Sequence, residues 1–175
     1  MDLDELYQEV ILDHYKRPRG AGLREPYEGE SHQVNPTCGD EITLRVHVEG
    51  ATVADVSYDN VGCSISKASA SVLYELVNGV PIEDALARLA EFTELMNSKG
   101  HGEGDEETLE DAVAFAGVSK YPMRVKCALL GWMAFKDALI RATASAPTDG
   151  SPSAPPEQQV STTAVPTAEE EPGNE

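Results

Sequence analysis

The run Ile42-Thr43-Leu44-Arg45-Val46-His47-Val48, then Glu49-Gly50, then Val53-Ala54-Asp55-Val56-Ser57-Tyr58, decides the fold of this chain. Ile42, Leu44, Val46 and Val48 alternate with Thr43, Arg45 and His47, the period of two of a half-buried strand. Glu49-Gly50 supplies a turn, and Val53–Tyr58 reads as the return strand of an antiparallel hairpin. The segment before it, roughly Glu28–Val34, adds a candidate third strand.

Outside this sheet the patterning is helical. Leu3, Leu6, Tyr7, Val10, Ile11 and Tyr15 follow i, i+3, i+4, i+7 and predict one buried stripe on a first helix. Asp2 or Asp4 supplies its N-terminal acid, and Pro18 and Gly20 stop it. A helix after Cys63 carries Ile65, Ala68, Val72, Leu73 and Leu76, with Ser64 or Ser66 as cap and Asn78-Gly79 as stop. Pro81 opens another through Ala85, Leu86, Leu89 and Phe92. Asn97–Glu107 reads as a polar loop and Thr108–Phe115 as a short helix. Pro122 opens a long helix marked by Val125, Leu129, Trp132, Met133 and Leu139. Strands first and helices after predict an α+β domain over residues 1–141, with helices on one face of a small antiparallel sheet of about three strands.

The remainder, residues 142–175, holds six of the eleven prolines, six acidic residues, no Lys or Arg and no aromatic. Such a segment buries too little apolar surface to offset its ordering entropy, so it is expected to be a disordered tail. The whole chain of 175 residues carries 31 acidic and 13 basic residues, a net charge of -18. That balance disfavours a nucleic-acid partner and an anionic membrane surface. The N-terminus lacks the positive start of a secretion signal. The longest apolar run, Cys127–Phe135, is too short to span a bilayer. Free thiols in such a chain suit a reducing cytoplasm.

The chemistry is concentrated in three cysteines, and no other cysteine exists. They sit in Asn35-Pro36-Thr37-Cys38-Gly39-Asp40, in Gly62-Cys63-Ser64 and in Arg124-Val125-Lys126-Cys127-Ala128-Leu129-Leu130. Three thiolates and one carboxylate make a four-ligand set for zinc or an iron–sulfur cluster. Neighbours one residue apart normally point to opposite sides of an extended chain, but a glycine at positive φ brings Cys38 and Asp40 to one centre. The plainer alternative is that Asp40 caps a turn over a buried Cys38. Cys63 precedes a helix whose N-terminus favours a thiolate, or else is a small buried hydrophobe. Arg124 and Lys126 flank Cys127 and favour its thiolate, or else simply cover an exposed helix surface. His14, His32, His47 and His101 have no cysteine neighbour and read as bystanders. No phosphate loop, dinucleotide fingerprint or serine elbow appears.

Taken in order, Asn-Pro-x-Cys-Gly-Asp at 35–40, Gly-Cys-x-Ile-Ser-x-Ala-Ser at 62–69 and Arg-x-Lys-Cys-Ala-Leu-Leu-x-Trp at 124–132 resemble the IscU/NifU-like family of iron–sulfur cluster assembly proteins. The resemblance covers roughly Leu3–Ile140. It is nearer to the SufU branch, because Lys126 stands where IscU scaffolds carry a histidine and because of an extra stretch around Met96–Asp111. The resemblance implies zinc held by Cys38, Asp40, Cys63 and Cys127. It implies persulfide sulfur received on Cys38 from a SufS-type cysteine desulfurase, with a desulfurase histidine replacing that thiolate on zinc during docking. Arg124 matches a site-adjacent arginine, and downstream SUF assembly proteins are the implied recipients. A scaffold on which a [2Fe–2S] cluster is built is the other role the family suggests.

Overall fold

The computed structural model describes residues 2–145. Its order is α1 (Leu3–Lys16), β1 (Gly29–Asn35), β2 (Asp40–Glu49), β3 (Thr52–Val61), α2 (Ser64–Val77), α3 (Ile82–Met96), α4 (Glu106–Leu109), a 3₁₀ segment (Glu110–Lys120) and α5 (Pro122–Ser145). The α+β class and the three-stranded antiparallel sheet, in the order β1-β2-β3, agree with the sequence reading. The expected tail lies outside the described residues, apart from its first few positions. There α5 continues past Arg141 to Ser145 because Ala142 is still buried.

Alternation decides which side of the sheet is dry. Ile42, Leu44 and Val46 point inward and are almost fully buried, while Thr43, Arg45 and His47 face outward. α5 packs across β1 and β2, and α2 packs on α5 and α1. Phe92 of α3 stacks on Trp132 of α5 at 4.2 Å between ring centroids, and Phe115 meets Phe92 edge-on. Trp132 Nε1 donates to Ser69 Oγ at 3.0 Å, and Ser69 Oγ donates to the Ala128 carbonyl at 2.6 Å. These contacts fix the start of α5, and with it Cys127, against α2.

Several elements differ from expectation, each for a local reason. The α1 stripe is only partly covered: Tyr7 and Ile11 pack on the core, but Leu3, Leu6 and Tyr15 are exposed. The buried residue of α1 is instead His14. Its Nδ1 lies 2.8 Å from Ser71 Oγ and its Nε2 2.9 Å from Asp111, so it joins α1, α2 and the 3₁₀ segment. The helix expected over Thr108–Phe115 breaks at Glu110, whose φ of +46° cannot continue an α-helix, and a tighter 3₁₀ coil follows. α2 is not capped by Ser64 or Ser66: Cys63 occupies the cap position, with no side-chain cap bond. Among the described residues no helix is long and apolar enough to cross a membrane.

Candidate metal centre

All three cysteines arrive at one end of the sheet. Asn35 pairs with Asp40 across β1 and β2, so Cys38 rides the turn between those strands. Glu41 pairs with Val61, so the exit of β3 lies beside the entry of β2, and Cys63 follows that exit. Cys127 is in the second turn of α5. The Asn35 carbonyl accepts from the Cys38 and Gly39 amides, closing the turn. Gly39 has a φ of +71°, the conformation expected of a glycine joining Cys38 to Asp40.

Asp40 is fully buried, with its carboxylate against Cys63. The Cys63 amide donates to Oδ1 at 2.9 Å, and Cys63 Sγ lies 3.7 Å from Oδ2. Gly62 is required by this approach, since a Cβ there would come within 2.4 Å of Oδ1. Cys127 Sγ lies 3.2 Å from Cys38 Sγ and 3.4 Å from the Met123 carbonyl. Donor atoms of Cys38, Asp40 and Cys127 all fall within 4.8 Å of one another. Cys63 stands outside that mutual set but touches Asp40. Cys38 and Cys63 are exposed, whereas Cys127 is buried.

Arg124 and Lys126 are both exposed on α5, which fits the plainer reading that they cover helix surface. Burial, then the neighbouring Asp40, Cys38 and Cys63, push the Cys127 thiol well above its ordinary range. A divalent cation reverses such a penalty, because a coordinated thiol is deprotonated outright. Zn–S near 2.3 Å and Zn–O near 2.0–2.2 Å place tetrahedral ligands about 3.5–3.8 Å apart. The Cys63–Asp40 separation matches that spacing and the Cys38–Cys127 separation is slightly tighter. The donors therefore fit zinc, and three thiolates with a carboxylate equally suit an iron–sulfur cluster.

Around the donors runs a pocket of about 360 Å³ lined by Cys38, Cys63, Cys127, Ser64, Ile65, Met123 and Arg124. Arg124 packs its guanidinium 5.2 Å from the Tyr121 ring and, among the described residues, has no ion-pair partner. Ser64 and Ile65 were read from the sequence only as helix residues, and Met123 was not singled out. Their signal was position alone, next to Cys63 and one turn before Cys127. His14, His32, His47 and His101 lie outside this cluster, although His14 itself sits with Glu75 and Asp111 in a second group of potential ligands.

Residues 6–128 match the family model for the NifU-like N terminal domain. The chain belongs to the NifU-like family. Over 80% of its length this NifU-like chain is 41% identical to the zinc-dependent sulfurtransferase SufU of Bacillus subtilis, covering 93% of that protein. It is 38% identical to the iron–sulfur cluster assembly scaffold protein IscU of Streptococcus pyogenes, covering 79% of this chain and 86% of that one. A solved SUF-system assembly protein, FiSufU of Fervidobacterium islandicum, superposes at a TM-score of 0.69 and 34% identity, covering 79% of this chain and 99% of that one. The NifU-like N-terminal domain of Brucella abortus superposes at 0.73 with 21% identity, covering 82% of this chain and 99% of that one, and shares the fold.

Proposed function

We propose that this NifU-like chain is a zinc-dependent sulfur acceptor in iron–sulfur cluster assembly. Cys38, Asp40, Cys63 and Cys127 hold the ion. Cys38 takes sulfur from a SufS-type cysteine desulfurase and passes it to downstream SUF assembly proteins in the cytoplasm. The observation that carries this is the unequal placement of the donors. Cys38 is exposed on a turn, while Asp40 and Cys127 are buried in a strand and a helix. Cys63 is exposed as well, but its amide is tied to Asp40 at the start of α2, so Cys38, carried on a turn, is the thiolate freer to meet a second protein.

Zinc, when bound, keeps the thiols ionised without adding redox chemistry of its own. With four protein donors no position remains for a bound water, which argues against a hydrolase. The transfer itself is thiol exchange. The Cys38 thiolate attacks the outer sulfur of a donor persulfide, forming a new S–S bond. The donor S–S bond breaks and its inner sulfur leaves as a thiolate. The proton on the outer sulfur travels with it, and electrons balance without an added oxidant. Arg124 lies on the pocket wall as a catalytic side chain, its unpaired positive charge attracting the anionic sulfur.

Zinc-loaded full chain, incubated with a SufS-type desulfurase and cysteine, is expected to gain the mass of one sulfur atom on Cys38. Cys38→Ala should abolish both that adduct and the stimulation of the desulfurase. Full stimulation by this variant would remove Cys38 from the acceptor role. The similarity to the IscU scaffold of Streptococcus pyogenes favours a second reading, assembly of a [2Fe–2S] cluster at the same donors. Brown protein with stoichiometric iron and sulfide, in place of about one zinc per chain, would establish that reading instead.

A further inference from the structure

The uncovered part of the α1 stripe borders a groove. Leu12 and Tyr15, 46% and 41% exposed, form one wall, with Tyr7 and Ile11 at its floor. Ile65 at the start of α2 and Tyr121 before α5 form the other, around a volume of about 540 Å³. The groove runs into the metal pocket, because Ser64, Ile65 and Arg124 line both. Met123, also exposed, extends the apolar surface to the thiols. Contiguous exposed apolar area of this kind marks an interaction surface.

The geometry points to this groove as the seat of the sulfur-donating protein, which lays an apolar segment flanked by carboxylates along α1 while its sulfur reaches Cys38. This rests on the sulfur-acceptor reading. A donor that carries sulfur on its own chain must cover the pocket rim, and that rim continues directly into the groove. Charge specifies the occupant further. Lys120 and Arg124 line the groove beside a single acidic residue, Asp4, so the charge there is opposite in sign to the chain's net -18. Among the described residues neither has an ion-pair partner. They offer two positive charges to acidic residues beside the apolar segment. A second copy of this chain is a poorer occupant, since two bodies of such negative charge repel.

The test uses the full zinc-loaded chain and a SufS-type desulfurase, with binding measured by calorimetry and stimulated desulfuration measured separately. Leu12→Glu and Tyr15→Glu set carboxylates into the groove, and Lys120→Glu reverses a charge at its edge. All three sites are exposed, so the fold and the zinc content should be unchanged. Each variant is expected to raise Kd about tenfold or more. The half-saturating concentration should rise by the same factor at unchanged maximal stimulation. Ile140→Glu, an exposed apolar site about 20 Å along α5 from Cys127, should leave Kd as in the wild type. Unchanged Kd in both Leu12→Glu and Tyr15→Glu overturns the groove, as does equal weakening by Ile140→Glu. A wild-type chain that binds without stimulating overturns the sulfur reading, and the groove is then judged on Kd alone. A wild-type chain that does not bind overturns both. A wild-type dimer that Leu12→Glu dissociates reassigns the groove to a second copy.

Discussion

His47 places both ring nitrogens against carboxylates. Nδ1 lies 2.8 Å from Glu28 and Nε2 lies 3.2 Å from Glu49, on the outer face of β2. The hydrogen bond to Glu28 is the main cause that raises its pKa; burial opposes it and Glu49 adds to it. The folded value therefore lies above the unfolded value of about 6.5. The stabilisation is complete below the unfolded value and is lost as pH rises through the folded value. The melting-temperature gap between wild type and Glu28→Gln should be widest between about pH 5 and 6 and should close above about pH 8. A gap independent of pH would show that His47 is not charged in the fold. The same residue marks what a sequence can tell. Its outward direction follows from alternation with Val46 and Val48, but its partner Glu28 lies on the neighbouring chain segment and no local pattern names it. His14 is the stronger case, because its partners Ser71 and Asp111 are far away in sequence and only packing brings them together.

At the scale of elements, α5 carries the most. It closes the sheet, holds Trp132 in the core and presents Cys127. Ser69 joins it to α2 by accepting from the Trp132 indole and donating to the Ala128 carbonyl. Ser69→Ala leaves a buried N–H and a buried carbonyl without that partner, and should cost about 1–3 kcal/mol in denaturant unfolding. A change within a few tenths of a kcal/mol would mean that the two groups find other partners. Strand periodicity, the Pro122 start of α5 and the Asn78-Gly79 stop of α2 were legible because each depends on neighbouring residues. The partial exposure of α1 was not. An amphipathic stripe specifies an apolar face, and whether this chain or another covers it depends on how α2 and the 3₁₀ segment sit. The break at Glu110 was hidden for a related reason, since only the tertiary path of the segment demands a positive φ there.

Across the whole molecule, an ion at the candidate metal centre would tie the β1–β2 turn to the starts of α2 and α5. The donors span residues 38–127, so an ion bound to them closes long loops and links ligation to folding. Removing zinc with a chelator, with its loss verified, should lower the melting temperature by roughly 10 °C or more. No change would place the ion at the margin of the fold. The sequence offered four candidate donors because soft ligands next to a turn glycine and at helix starts form a recognisable set; the structure groups Cys38, Asp40 and Cys127 and leaves Cys63 beside Asp40. It did not reveal that Cys127 is the most deeply covered thiol, which depends on how α5 meets the sheet. The amide of Cys63 adds one more consequence. It grips one oxygen of Asp40 through backbone held by β3 and α2, so the fold itself aims the carboxylate. A ligand braced in this way would act as the fixed jaw of a vice, with Cys38 on its turn the movable one.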